Sequence, residues 1–174
     1  MPAAELRVLL PELQILDRIA ALGQQIARDY PDGELLLICI LKGACFFLAD
    51  LARAIPRDVS IEFVGISSYG KGTTTSGQVR VTKDLDTSIE GAHVLIVEDI
   101  VDSGVTLHYL TTLLQQRHPK SLRVAALLDK PERRIRPVDV AYVGFPIPDE
   151  FVVGYGLDYA DRYRNLRDVC VLSA

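Results

Sequence analysis

A chain of 174 residues with 49% hydrophobic and 24% charged content can bury one well-formed core with little left for a second. Glycine and proline are scattered, which excludes disordered and repeat architectures. A formal net charge of -4 does not favour a polyanionic partner, so nucleic acid is not expected and any phosphate site must be local. Cys39, Cys45 and Cys170 lie in apolar runs without metal-ligand spacing and are expected as buried small hydrophobes in a reducing compartment. No basic stretch leading into an apolar one opens the sequence, and the apolar runs are strand-sized. The expectation is one cytoplasmic domain over 1–174, away from membranes.

In chain order, Leu13, Leu16, Ile19, Ala20, Gly23, Ile26, Ala27 and Tyr30 recur three or four apart, predicting an amphipathic helix over 13–30. Pro31-Asp32-Gly33 stops it. The run 35–40 is too short for a buried helix and is bounded by turn residues, so it reads as a central parallel strand. A helical pattern covers 44–54, and a β-rich run covers 59–67. Residues 68–77 hold three glycines and a hydroxyl run with little to bury, which predicts a mobile surface loop. A strand over 79–82 follows, and a second continuous apolar strand over 93–97. A turn then leads into a helix from about 104 to 118. Strands are expected over 122–128 and 138–143, with short β-like pieces around 151–153 and 169–172. Helices interleaved with apolar strands give an α/β domain with a mostly parallel sheet and helices on both faces.

Ligands of an open α/β sheet gather beyond the carboxyl ends of its strands, so the residues after Val97 matter most. In Asp102-Ser103-Gly104-Val105-Thr106, flexible backbone and two hydroxyls open a helix whose unpaired N–H groups and dipole favour a phosphate. Glu98 and Asp99 are suited to accepting hydrogen bonds from a vicinal diol or to holding Mg²⁺ through water. A helix cap and dipole-matched acids would also explain these residue types, but a cap needs one acid and here three are crowded after a buried strand. No Gly-x-x-x-x-Gly-Lys-Ser/Thr is present, and Gly70-x-Gly72 lacks the third glycine of a dinucleotide fingerprint, so neither an ATPase nor a dehydrogenase is indicated.

The string Val94-Leu95-Ile96-Val97-Glu98-Asp99-Ile100-Val101-Asp102-Ser103-Gly104-Val105-Thr106-Leu107 closely resembles the phosphoribosyl pyrophosphate (PRPP) signature of type I phosphoribosyltransferases. Three further stretches resemble the hypoxanthine-guanine branch: Leu41-Lys42-Gly43, Leu127-Leu128-Asp129-Lys130, and Phe151-Val152-Val153-Gly154-Tyr155-Gly156-Leu157-Asp158-Tyr159. The resemblance runs from about residue 10 to 172. It implies a small hood of N- and C-terminal segments, Mg²⁺ as cofactor, a homodimer or homotetramer, and purine salvage from PRPP and a 6-oxopurine, hypoxanthine foremost and guanine beside it.

On the matching residues, the resemblance implies that Leu41, Lys42 and Gly43 bind pyrophosphate, with a non-proline cis peptide before the lysine, and that Arg164 pairs with the same group. Ser103, Gly104 and Thr106 would hold the 5-phosphate, Val105 contributing backbone only where some relatives carry lysine. Glu98 and Asp99 would face the ribose hydroxyls, and Asp102 would accept a proton near N7 of the purine. Lys130 would donate to O6, Phe151 would stack on the ring, and the Val152 backbone would meet the base edge. Asp158 would help hold Mg²⁺, with Glu98 and Asp99 as further metal candidates. The loop over 69–78, entered through Ser68 and Tyr69, would close as a lid, because water competes for the cation-like ribose carbon.

Taken alone, Lys130 would be a solvated charge and Phe151 a core residue. Arg133, Arg134 and Arg136 read as a basic run for the surface or a subunit contact, and the histidines have no site-like spacing. A PRPP- or nucleotide-sensing regulator of the same fold is the competing reading. Against it stand the negative charge, the absence of an added helix-turn-helix segment and the purine-side set. A phosphoreceiver would place its acidic pair after the first strand, which does not match.

Overall fold

A computed structural model of the chain describes residues 5–68 and 79–173. Its elements are β1 (Glu5–Leu10), α1 (Glu12–Asp29), β2 (Leu35–Leu41), α2 (Cys45–Ala54), β3 (Ser60–Ser68), β4 (Val79–Lys83), β5 (His93–Val101), α3 (Val105–Gln115), β6 (Ser121–Asp129), β7 (Tyr142–Pro146), β8 (Val152–Val153) and β9 (Val169–Ser173). The main sheet has the order β4-β3-β2-β5-β6-β7, and β1, β9 and β8 form a second, smaller sheet. All neighbours in the main sheet run parallel except β4, which closes the β3 edge antiparallel.

Strands β2 and β5 are continuous apolar runs because they sit centrally, covered on both faces. One face carries α1 and α2, whose Ile15, Ile19, Leu22, Ile26, Phe47 and Leu51 are buried in the core with Leu35, Leu37 and Leu95. The opposite face carries α3, whose Leu107, Leu110 and Leu114 pack with Ile38, Val94 and Ile96. The alternation of Leu37 and Ile38, or of Leu95 and Ile96, between the two clusters is the period of two expected of a strand. The α/β architecture with helices on both faces is therefore as the sequence predicts.

Three boundaries differ, each for a reason of pairing. Strand β5 continues through Glu98 and Asp99 to Val101, because Ile100 and Val101 still pair with Leu128 and Asp129. The strand expected over 138–143 lies instead at Tyr142–Pro146. Val138 and Val140 alternate because both pack on the α3 cluster, but pairing with β6 begins only at Tyr142 opposite Ala125. The sequence carried no signal for β1, whose Leu6 and Val8 are exposed; it exists because it pairs antiparallel with β9. Together β1, β9 and β8 make the small N- and C-terminal sheet that the family resemblance implies.

The sheet order places the site. The chain leaves β2 toward β3 on one side and β5 toward β6 on the other, so the order reverses between β2 and β5. A crevice at such a reversal, beyond the carboxyl ends of the strands, is where α/β sheets bind ligands. The loops that meet there are 41–44, after β2, and 102–104, after β5.

Candidate active site

Gly104 is the N-terminal cap of α3, in a left-handed conformation with φ 79°, and no side chain caps the helix. The nearest candidate, Ser103 Oγ, lies 3.4 Å from the Val105 nitrogen, a long contact that leaves the first-turn amides available. A cap thus does not account for this turn. From behind, the loop is braced by the N–H groups of Ile135 and Arg136, which donate to the Ser103 carbonyl at 2.8 and 3.0 Å. Glu98, Asp102, Ser103, Gly104 and Thr106 line a cleft of about 120 Å³ over this turn. Val105 begins α3 at its edge.

The acids differ in environment. Glu98 is only 8% exposed, and its Oε1 accepts the Asp99 N–H at 2.9 Å. It is thus more enclosed than a residue facing ribose hydroxyls would need to be. Burial first, and then the neighbouring charge of Asp99, push its carboxyl well above the ordinary range. Burial also raises Asp99, against the lowering effect of its hydrogen bonds and of Arg164. In the metal-free protein, the folded state therefore binds more protons than the unfolded state above the ordinary glutamate value of 4.5. Stability from this group is complete below that value and is lost as pH rises through the raised one. Glu98→Gln keeps the acceptor and removes the charge, so its melting temperature is expected to exceed that of the unaltered chain at about pH 8 and to converge with it at about pH 5. Calorimetric melting of the metal-free proteins at both pH values checks this; a variant with no advantage at the higher pH refutes it.

Asp102 lies just beyond β5. Arg133 Nε is 2.7 Å from its Oδ1, an ion pair between half-exposed side chains. That oxygen is itself buried, and no N–H is aligned on it in hydrogen-bond geometry. Its contact with Arg133 is one of charge rather than an aligned hydrogen bond.

Across the crevice, the Leu41–Lys42 peptide is cis, as the resemblance implies. A side chain at Gly43 would collide with the Asp99 carboxylate, and one at Gly156 would collide with the Gly43 carbonyl. The two glycines let the β2 loop pass between β5 and the segment after β8. Arg164 braces that segment: Nη1 donates to the Gly156 carbonyl at 2.7 Å, and Nη2 pairs with Asp158 at 2.8 Å. Lys42 is exposed and lies 3.5 Å from Asp161.

On the opposite rim, Lys130 follows β6 with its N–H donating to the Val101 carbonyl at 2.9 Å. Its side chain is 8% exposed, and Asp149 is 3.7 Å from its ammonium. Phe151 is 52% exposed, an open ring meeting Tyr159 edge-on at 5.7 Å. Val152 is buried on β8 opposite Val171. Ser68 ends β3 opposite Val79; Tyr69 and the lid over 69–78 lie outside the described residues.

The basic run lies at the surface as expected, with Arg133 and Arg136 exposed, but its members are engaged: Arg133 pairs with Asp102 and Asp149, Arg134 with Asp129, and the Arg136 backbone braces Ser103. Folding back against the β5 loop puts them there, and the contacts to Asp102 and Ser103 join positions about 30 apart that a local charge pattern does not reveal. Among the described residues, no three His, Cys, Asp or Glu converge as a metal cluster. Asp158 is engaged by Arg164 and by the Asp161 N–H at 2.8 Å. Cys45 is half-buried, whereas Cys39 and Cys170 are buried as expected. Asp149, which meets both Arg133 and Lys130, was not singled out from the sequence; its only signal is its place two residues before Phe151.

A parallel sheet with an anion-ready turn after β5 and a glycine-spaced loop after β2 is the framework of a protein that handles a sugar phosphate. Residues 8–160 match the phosphoribosyl transferase domain model, and the chain belongs to that family. Its relatives place it in the hypoxanthine(-guanine) branch. The hypoxanthine-guanine phosphoribosyltransferase of Mycobacterium avium is 57% identical over 165 residues, 91% of this chain and 81% of the relative. The hypoxanthine phosphoribosyltransferase of Haemophilus influenzae is 52% identical over 162 residues, 91% of this chain and 90% of the relative. Among solved structures, the hypoxanthine phosphoribosyltransferase of Staphylococcus aureus superimposes with a TM-score of 0.93 at 47% identity, covering 96% of this chain and 91% of that one. That of Trypanosoma cruzi, in a ternary complex with substrates, gives 0.91 at 48% identity, covering 98% and 96%. No described helix is long and apolar enough to cross a membrane.

Proposed function

We propose that this chain is a purine-salvage phosphoribosyltransferase that joins hypoxanthine, and also guanine, to the ribose phosphate of PRPP with release of pyrophosphate. The observation that carries the reading is the pairing of an uncapped α3 N-terminus with Asp102, whose buried Oδ1 has no aligned donor. An anion cradle beside a carboxylate fits a phosphorylated sugar next to a base that must lose a proton.

In this reading the first-turn amides with Ser103, Gly104, Val105 and Thr106 hold the 5-phosphate. Asp99, and behind it Glu98, face the ribose, where negative side chains favour the positive charge that develops as the bond from C1 to pyrophosphate breaks. The loop 41–43 and Arg164 bind the departing group. As the purine N9 bonds to C1, Asp102 takes the proton from N7. Lys130 donates to O6, Phe151 covers the ring, and the Val152 main chain meets its edge.

Glu98 and Asp99 fit a hard divalent cation, because desolvation raises both carboxyls and no cationic side chain hydrogen-bonds to either. Mg²⁺ held by Asp99 and Asp158, with Glu98 behind and substrate oxygens and water completing the shell, would neutralise the pyrophosphate. A homodimer or homotetramer belongs to the same reading, as does closure of the 69–78 segment over the site.

Incubation with Mg²⁺, PRPP and each of hypoxanthine, guanine, xanthine and adenine, followed by assay of nucleotide and pyrophosphate, tests the proposal. Product from hypoxanthine is expected, and none from any base would refute the enzyme. Lys130→Ala should raise the KM for hypoxanthine by about tenfold to a hundredfold, the worth of one hydrogen bond to a charged group, and leave PRPP affinity unchanged. Retained affinity for the base would remove Lys130 from the site.

A further inference from the structure

The side chains of Asp102, Arg133, Asp149 and Lys130 form one chain of alternating charge. Arg133 Nε meets Asp102 Oδ1 at 2.7 Å, Arg133 Nη1 meets both Asp149 oxygens at 3.2 Å, and Asp149 Oδ1 meets Lys130 Nζ at 3.7 Å. We infer that Arg133 and Asp149 are positioning residues, an ion-paired bridge that holds the proton acceptor Asp102 and the base-reading Lys130 at a set spacing. The inference rests on the roles proposed above for those two residues.

Three segments remote in sequence converge to make this bridge, and main-chain bonds register them. The Lys130 N–H donates to the Val101 carbonyl, immediately before Asp102, and the Ile147 N–H donates to the Asp129 carbonyl, immediately before Lys130. After Lys130 the chain makes a single 3₁₀ turn over Pro131–Arg133, closed by the Arg133 N–H on the Lys130 carbonyl at 3.1 Å. In such a turn, residues three apart stand on the same side. Lys130 and Arg133 can therefore both reach Asp149.

The bridge has a use because N7 and O6 lie on one edge of a 6-oxopurine. A site reading that edge needs an acceptor and a donor at a set separation, and long charged side chains do not keep one unaided. Lys130 is nearly buried, so its ammonium needs an anion, and Asp149 is its one ion-pair partner within 4.0 Å among the described residues. The planar fork of Arg133 engages two carboxylates at once, which a point charge does not do. Arg133 and Asp149 are themselves about half exposed, so the pair contributes little to stability. Its effect is expected on geometry at the base.

The test compares hypoxanthine with unsubstituted purine, which lacks O6, as competing ligands of the PRPP-loaded enzyme, for the unaltered chain and for Asp149→Asn, Arg133→Gln, Arg133→Lys and the double variant Asp149→Asn/Arg133→Gln. Asp149→Asn should weaken hypoxanthine about tenfold and unsubstituted purine by less than about twofold, since Lys130 reads only O6. Arg133→Gln should lower kcat about tenfold with a smaller change in hypoxanthine KM, and Arg133→Lys should not restore it, because charge returns without the fork. The double variant should be no worse than the product of the single losses and clearly less, as for residues acting as one unit. PRPP affinity by calorimetry should stay within about twofold throughout. Equal loss on both ligands, recovery by Arg133→Lys, or full additivity overturns the bridge. No turnover by the unaltered chain with any purine removes the enzyme reading itself and the bridge with it.

Discussion

Asp102→Asn should lower single-turnover nucleotide formation by about a hundredfold to ten-thousandfold, the usual worth of a placed general base. The amide has the shape of the carboxylate but does not take up a proton. PRPP affinity should change by less than about twofold, because the phosphate contacts come from the amides of the α3 first turn and from Ser103 and Thr106. Arg133 loses one charged partner in this variant and keeps Asp149, and its guanidinium is half exposed, so the change costs little. Rapid-quench turnover and calorimetric titration with PRPP separate the two effects. Parallel loss of turnover and PRPP binding would mean that Asp102 holds the cradle rather than the proton.

Gly104→Ala should do the opposite and remove PRPP binding by about a hundredfold or more. Gly104 has φ 79°, where a side chain costs about 1–2 kcal/mol. A Cβ there would also lie 2.5 Å from the Arg136 carbonyl and 3.0 Å from Arg134 Cδ. The first is main chain, itself tied to Ser103 by the Arg136 N–H, so the loop must move as a whole and carry the first-turn amides with it. The comparison is Gly91→Ala, with φ 74° and nothing within 4 Å of the added carbon. It shares the conformational cost and should keep PRPP affinity within about twofold. Equal affinities in the two alanine variants would show that the close approach to Arg136 is not what shapes the cradle.

The contrast between these variants explains how far the chain could be read before it was folded. Local period and turn chemistry located α1, α2 and α3, the central strands β2 and β5, and the stretch from Glu98 to Thr106, because each depends on neighbours within a few residues. The match of that stretch to a family signature then added the loop 41–43, Lys130, Phe151, Asp158 and Arg164 as expected members of the same site. The edges escaped: β1 exposes its apolar side chains, and β7 begins where β6 offers pairing rather than where valines alternate.

By itself, the amino-acid sequence determined that this protein is an α/β domain with an anion-ready turn after a buried strand, since apolar period, glycine placement and helix-end chemistry are properties of short segments. Only the tertiary structure decided that Glu98 is enclosed, that Asp158 answers to Arg164, and that Arg133 and Asp149 link Asp102 to Lys130. Those contacts span 6 to 31 positions or follow from burial, and the ionisation of a carboxylate or the partner of a guanidinium depends on what the fold brings within a few ångströms.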